Sequence, residues 1–104
     1  METFEMKTFR LRAVYGTPPI FNADVDEMGY IEPSELHLSA HLLARLEKWN
    51  GDFQQTFSDD YPPDSGFTSE DDRNRHNACG AGLATLLQQE LGESVWIEFT
   101  PLNK

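Results

Sequence analysis

The stretch Ser39-Ala40-His41-Leu42-Leu43-Ala44-Arg45-Leu46-Glu47-Lys48-Trp49-Asn50-Gly51-Asp52-Phe53-Gln54-Gln55-Thr56-Phe57 carries the strongest periodic signal in the 104-residue chain. Its apolar residues Leu42, Leu46, Trp49, Phe53 and Phe57 recur at steps of four, three, four and four, the spacing that lines one face of an α-helix. Ser39 predicts the N-cap, because its hydroxyl can accept from an otherwise unpaired first-turn N–H. Leu43 widens the stripe, whereas Arg45, Lys48 and Asp52 fall away from it. Gly51 inside the pattern costs about 1 kcal/mol relative to alanine and predicts a bend or an early end there. Such a stripe is the core-facing side of a helix.

Downstream, Ser58 to Asp72 holds six carboxylates and no Lys or Arg, together with Tyr61 and Phe67. Its Pro, Gly, Ser and Asp residues are ordinary turn formers, but a solvated linker has little reason to display two aromatic rings. Acid plus aromatic predicts a docking surface held at one end of a two-helix unit. Ser69 is the expected cap of the second helix, with Glu70, Asp71 and Asp72 set against the positive end of its dipole and Asp71 four residues before Arg75. No strongly apolar residue occurs from Thr68 to Asn77, so the first two turns are expected to face water or a partner. Cys79, Leu83, Leu86, Leu87 and Leu91 supply an apolar face until Gly92 stops the helix. The small residues Ala78, Gly80, Ala81, Gly82 and Ala84 predict a close approach of the first helix.

Upstream, Phe9 to Tyr15 alternates, with Phe9, Leu11, Ala13 and Tyr15 on one face and Arg10 and Arg12 on the other, until Gly16 and Pro18-Pro19 intervene. This predicts a half-buried strand whose arginines neutralise nearby carboxylates. Ser94 to Thr100 predicts a final strand, with Val95, Ile97 and Phe99 inward and Trp96 on the opposite face. Between them, Ile20 to Leu38 is broken by Asn22, Asp24, Asp26, Gly29 and Pro33 and reads mainly as loop, with Met28 to Ile31 a candidate short strand. The order strand-loop-helix-helix-strand predicts a small two-layer α+β domain spanning residues 1–104, a helical hairpin packed on a short antiparallel sheet. The first and last strands are expected to be antiparallel neighbours.

Composition restricts the chemistry. With 38% hydrophobic and 12% aromatic residues the chain should fold. Eighteen acidic against 8 basic residues give a net charge of -10, which repels phosphate backbones, argues against direct nucleic-acid binding and attracts a basic partner. A single cysteine excludes an intramolecular disulfide and fits a reducing compartment; with no secretory leader and no bilayer-spanning run, the cytoplasm is expected. His37-x3-His41 and His76-x2-Cys79 contain residue types that zinc accepts, but no Cys-x2-Cys pair supports them, and the histidines are expected at the surface or at caps. Asp24-x-Asp26-Glu27 resembles part of a calcium loop without its glycine and terminal glutamate. No metal and no cofactor is expected. Cys79 one turn after His76 has the residue types of a nucleophile and base, yet lies mid-helix among small residues, which predicts a buried structural thiol. Gly80-x-Gly82 lacks the strand-turn context of a phosphate loop and predicts helix packing. Asp59 and Asp60 have no apolar pocket to raise a carboxyl pKa, so no enzymatic activity is expected.

Several landmarks together resemble one group of small acidic bacterial proteins: Val14-Tyr15-Gly16 with Pro18-Pro19, Ile31-Glu32-Pro33-Ser34-Glu35-Leu36, Leu42-x2-Arg45-Leu46-x2-Trp49, Ser65-Gly66-Phe67, and Leu83-Ala84-x2-Leu87-x2-Glu90-Leu91-Gly92. From about Phe9 to Phe99 the chain is similar to immunity proteins of contact-dependent growth-inhibition systems, including those that accompany ribonuclease toxins. The resemblance implies a cytoplasmic inhibitor that binds its cognate toxin and blocks the active site. An acidic loop suits the cationic groove of a nuclease. The expected contacts are Asp59, Asp60, Tyr61, Asp64, Phe67, Glu70, Asp71 and Asp72, with Asp24, Asp26 and Glu27 as a second rim if the fold brings them near. The rival readings are a non-catalytic adaptor without a toxin partner and a metal-dependent hydrolase.

Overall fold

A computed structural model describes residues 7–24, 27–58, 60–61 and 65–102. Strands β1 (Lys7–Leu11), β2 (Ile20–Asn22), β3 (Gly29–Ile31) and β4 (Val95–Phe99) form one mixed sheet in the order β3-β2-β1-β4. Helices α1 (Ala40–Gln54) and α2 (Glu70–Leu91) pack on it, giving the two-layer α+β arrangement. Alternation in β1 buries Phe9 and Leu11 and leaves Arg10 outside, 3.4 Å from Glu98, its register partner on β4. On β4, Val95 is buried and Trp96 points away, 53% exposed.

The outer strands of the chain are neighbours, but β1 and β4 pair in parallel, Lys7 opposite Val95 through Leu11 opposite Phe99. This corrects the antiparallel expectation, and its cause lies in the supposed loop. Residues 20–31 contain two strands: β2 pairs antiparallel with β1, and β3 antiparallel with β2. Segment 32–38, with a 3-10 turn at Pro33–Glu35, then carries the chain back to the start of α1. The hairpin is antiparallel, since the N-cap Ser39 meets Glu90 near the end of α2 while Trp49 meets His76 near its start. The extra return reverses the sense in which β4 arrives.

Both helices begin at the expected caps: Ser39 Oγ accepts from the Leu42 N–H, and Ser69 Oγ from the Asp72 N–H. Glu90 locks the first cap from the other helix, its carboxylate accepting from the Ser39 N–H at 2.7 Å and the Ser39 hydroxyl at 2.8 Å. These bonds favour the ionised form and hold the Glu90 pKa below its ordinary value. Gly51 does not interrupt α1; the helix ends at Gln54, so Phe57 lies beyond it, with its ring edge against Tyr15. Gly92 closes α2 at φ +77°, a conformation that disfavours any side chain.

The buried face of α2 is His76, Gly80, Leu83 and Leu87. Cys79 is exposed, which corrects its assignment to the core, and His76 is buried, which corrects its assignment to the surface. Gly80 is the point of closest approach: a Cβ there would lie 2.5 Å from the Phe99 ring and 2.8 Å from the Trp49 ring. A Cβ at Gly82 would meet nothing within 4 Å, so only the first glycine of the pair serves packing. Leu11, Ile20, Leu42, Leu46, Leu83 and Leu87 are the most deeply buried side chains, each stabilising the fold by about 1.5–3 kcal/mol.

Two amides on α2 occupy backbone groups on the outer edge of β4 and in the segment that follows it. Gln88 donates to the carbonyls of Val95 at 2.6 Å and Gly92 at 3.0 Å, and accepts from the Ile97 N–H at 2.9 Å, as a neighbouring strand would. Asn77, three turns earlier, exchanges both bonds with the backbone of Leu102 at 2.8 and 3.0 Å. Backbone groups that would otherwise invite another chain are thereby occupied.

Candidate functional site

The acidic segment joins the end of α1 to the start of α2, and its ends are anchored. Phe53 stacks on Tyr15 with ring centroids 4.2 Å apart, and the Tyr15 and Thr56 hydroxyls are hydrogen-bonded. The Gly66 N–H donates to the Thr56 carbonyl, and the Ser58 N–H to Ser65 Oγ at 2.7 Å, which draws the two sides of the loop together. Phe67 is half-buried against Phe53 and His76, so its ring holds the loop down. Ser58 Oγ accepts from the Tyr61 N–H at 3.1 Å, and Tyr61 stands 61% exposed beside exposed Asp60. Tyr61 is therefore the displayed aromatic and Phe67 the anchor.

Glu70, Asp71 and Asp72 form the first turn of α2, where the helix dipole favours them. Glu70 lies 3.7 Å from Arg73 and Asp72 3.6 Å from Arg75, so Arg75 pairs with Asp72 at i,i+3. Exposed pairs of this kind stabilise by less than about 1 kcal/mol and yield readily to a partner. Asp60, Tyr61 and Glu70 to Asp72 thus share the loop and the helix start that follows it. Asp59, Asp64 and Asp26 lie outside the described residues.

Asp24 and Glu27 do not join this group. They sit at the turn between β2 and β3, next to the beginning of β1, where Glu27 accepts from Lys7 Nζ at 2.6 Å. That ion pair raises the Lys7 pKa. The acidic loop is tied through Tyr15 to the opposite end of β1, so the two acidic clusters occupy opposite ends of the sheet.

Behind the loop, Trp49 and His76 form a reciprocal pair. The Trp49 indole N–H donates to the His76 carbonyl at 2.9 Å, His76 Nε2 faces the Trp49 carbonyl at 3.3 Å, and the rings stack at 4.5 Å. Burial pushes the His76 pKa down, against smaller opposing effects of that hydrogen bond and of Asp52. The neutral ring then carries its proton on Nε2, leaving Nδ1 without a hydrogen-bond partner among the described residues. Sequence reasoning missed this pair, although four- and three-residue steps back from Leu87 and Leu83 pass through Gly80 and His76.

The same pair floors a groove of about 400 Å³ between the helices, rimmed by Arg45, Lys48 and Arg75 and with Cys79 in its wall. His37 and His41 are exposed elsewhere, and no group of three or more His, Cys, Asp or Glu poised for a metal occurs among the described residues. None of the helices among the described residues is long and apolar enough to cross a membrane.

No curated protein matches the sequence. The sequence pattern of the Serratia CdiI immunity protein-like family, by contrast, matches residues 7–102, nearly the whole sheet-and-hairpin unit. Immunity proteins of contact-dependent growth inhibition imply a cognate toxin as partner. The chain belongs to the Serratia CdiI immunity protein-like family.

Proposed function

We propose that the chain is a cytoplasmic, single-domain inhibitor that binds the toxin of its own system through the acidic loop and occludes a basic nuclease active site. The observation that carries this reading is the placement of Asp60, Tyr61, Glu70, Asp71 and Asp72 at one end of the hairpin, in a chain of net charge -10. A nuclease that binds RNA presents cations to phosphates, and carboxylates fixed on a rigid support compete for the same cations. Asp59 and Asp64 add charge to the same segment, Tyr61 supplies a desolvated anchor, and Phe67 positions the loop from beneath. Inhibition requires no chemistry from the chain itself, which acts as a non-catalytic partner.

The test is direct. The toxin domain encoded beside this protein is mixed with it, and RNA and DNA cleavage are followed. Stoichiometric loss of cleavage supports the reading. Full activity of the toxin at excess inhibitor refutes it.

A further inference from the structure

We propose that the groove between α1 and α2 is a second docking element, which receives an acidic side chain of the toxin while the loop covers its basic cleft. This inference rests on the toxin-binding reading and adds a contact of opposite sign. Arg45, Lys48 and Arg75 line the groove against Asp52 and Asp72, a surplus of one positive charge in a chain of net charge -10. Lys48 and Arg75 are held at 2.9 and 3.6 Å by carboxylates of their own helices. Arg45 has no carboxylate at ion-pair distance among the described residues. It shares the groove lining with the buried side chains Trp49, His76 and Leu83, and a carboxylate entering beside them is partly withdrawn from water, which strengthens its bond to a guanidinium.

The occupant is a protein carboxylate, because a free small anion is repelled by the surrounding negative field. A toxin that is basic overall is drawn in by that field and can carry an isolated Asp or Glu to Arg45. The groove is also continuous with the loop: Asp72 and Phe67 belong to both. Charges of both signs side by side fix the orientation of a partner and penalise toxins lacking the matching acid.

The experiment compares Arg45→Glu with Arg12→Glu. Arg12 is an exposed arginine following β1, away from the groove, so both substitutions change the net charge equally. Binding of each variant to the neighbouring toxin domain is measured by calorimetry, and melting temperatures establish that both fold. Arg45→Glu is expected to weaken binding about tenfold more than Arg12→Glu. Replacing each toxin Asp and Glu by Lys should reveal one position that restores binding to Arg45→Glu. Cys79, the sole cysteine, is exposed in the groove wall, and its alkylation by N-ethylmaleimide should slow about tenfold in the complex as the groove fills. Equal losses in the two variants, with Cys79 alkylated at its free rate in a complex that still forms, would overturn the groove proposal and leave loop docking standing. Failure of the unmodified protein to form any complex would overturn both.

Discussion

Replacing Gly80 by alanine tests how closely the two layers are packed, and Gly82 supplies the control within the same helix. At Gly80 the added methyl would lie 2.5 and 2.7 Å from two atoms of the Phe99 ring and 2.8 Å from Trp49 Cζ2. Carbon contacts prefer about 3.5–4.0 Å, so each approach is roughly 1 Å too short. Trp49 cannot simply retreat, because its indole N–H is bonded to the His76 carbonyl and its ring is stacked on His76. Phe99, at the end of β4, is half-buried and must yield, opening the edge of the core. Overpacking of this kind costs about 1–3 kcal/mol. Alanine for glycine in a helix interior returns up to about 1 kcal/mol, and it does so at both positions. The difference between Gly80→Ala and Gly82→Ala therefore isolates the steric cost, about 1–3 kcal/mol, with Gly82→Ala above the parent in stability. In a domain of this size each kcal/mol corresponds to about 4 °C or more in melting temperature. Urea titration followed by Trp49 fluorescence, in a Trp96→Phe background, reads both variants. Equal stability of the two would refute the close approach and the packing order that rests on it.

Further outcomes follow from the polar contacts. Because burial lowers the folded pKa of His76, the unfolded chain binds a proton first as the pH falls. Stability is then full above the ordinary histidine value of 6.5 and declines from there toward the lowered folded value. A melting temperature whose slope between about pH 7 and 5 is the same in His76→Phe as in the parent would contradict this. Gln88→Ala strips two hydrogen bonds from the β4 edge and one from the Gly92 carbonyl before it and should cost about 1–3 kcal/mol. It should also introduce concentration-dependent self-association through the bared strand, visible by sedimentation; an unchanged melting temperature and a single species would contradict it.

Capping signals in the sequence were sufficient to place the helix starts and the end of α2, whereas the local signal of Gly51 was overridden by the packing of α1. Ser39, Ser69 and Gly92 set helix boundaries by bonding within a turn, and all three stand where capping chemistry places them. Strand β3 falls within the Met28 to Ile31 stretch singled out as a candidate strand, whereas β2 was obscured because it is only three residues long, too short to establish a period, and exists through pairing with β1 and β3. The two reversals at β2 and β3 cancel, so it is the unforeseen return along residues 32–38 that gives β4 the opposite sense to the one expected. The phase of α2 was obscured for another reason: its inward positions include His76 and Gly80, which do not register as apolar, whereas Cys79 does. Among the candidate contacts, Asp60, Tyr61 and the first turn of α2 share a segment and stay together on folding. Asp24 and Glu27 are sent to the other end of the sheet by the register of β1 with β2. The groove was invisible because Arg45 and Arg75 belong to different helices, and only the packing rotation of the hairpin places them on one rim.

The most direct measurement of toxin docking through the loop is the association rate of the toxin domain, taken over a range of salt concentrations for the parent and for Asp59→Asn/Asp60→Asn/Asp64→Asn. If the carboxylates steer the encounter, the parent associates about tenfold faster or more at low salt. Its rate falls steeply as salt is added, while the neutralised variant shows a flatter dependence at an unchanged melting temperature. Identical rates and identical salt slopes in the two proteins would contradict docking through the acidic loop.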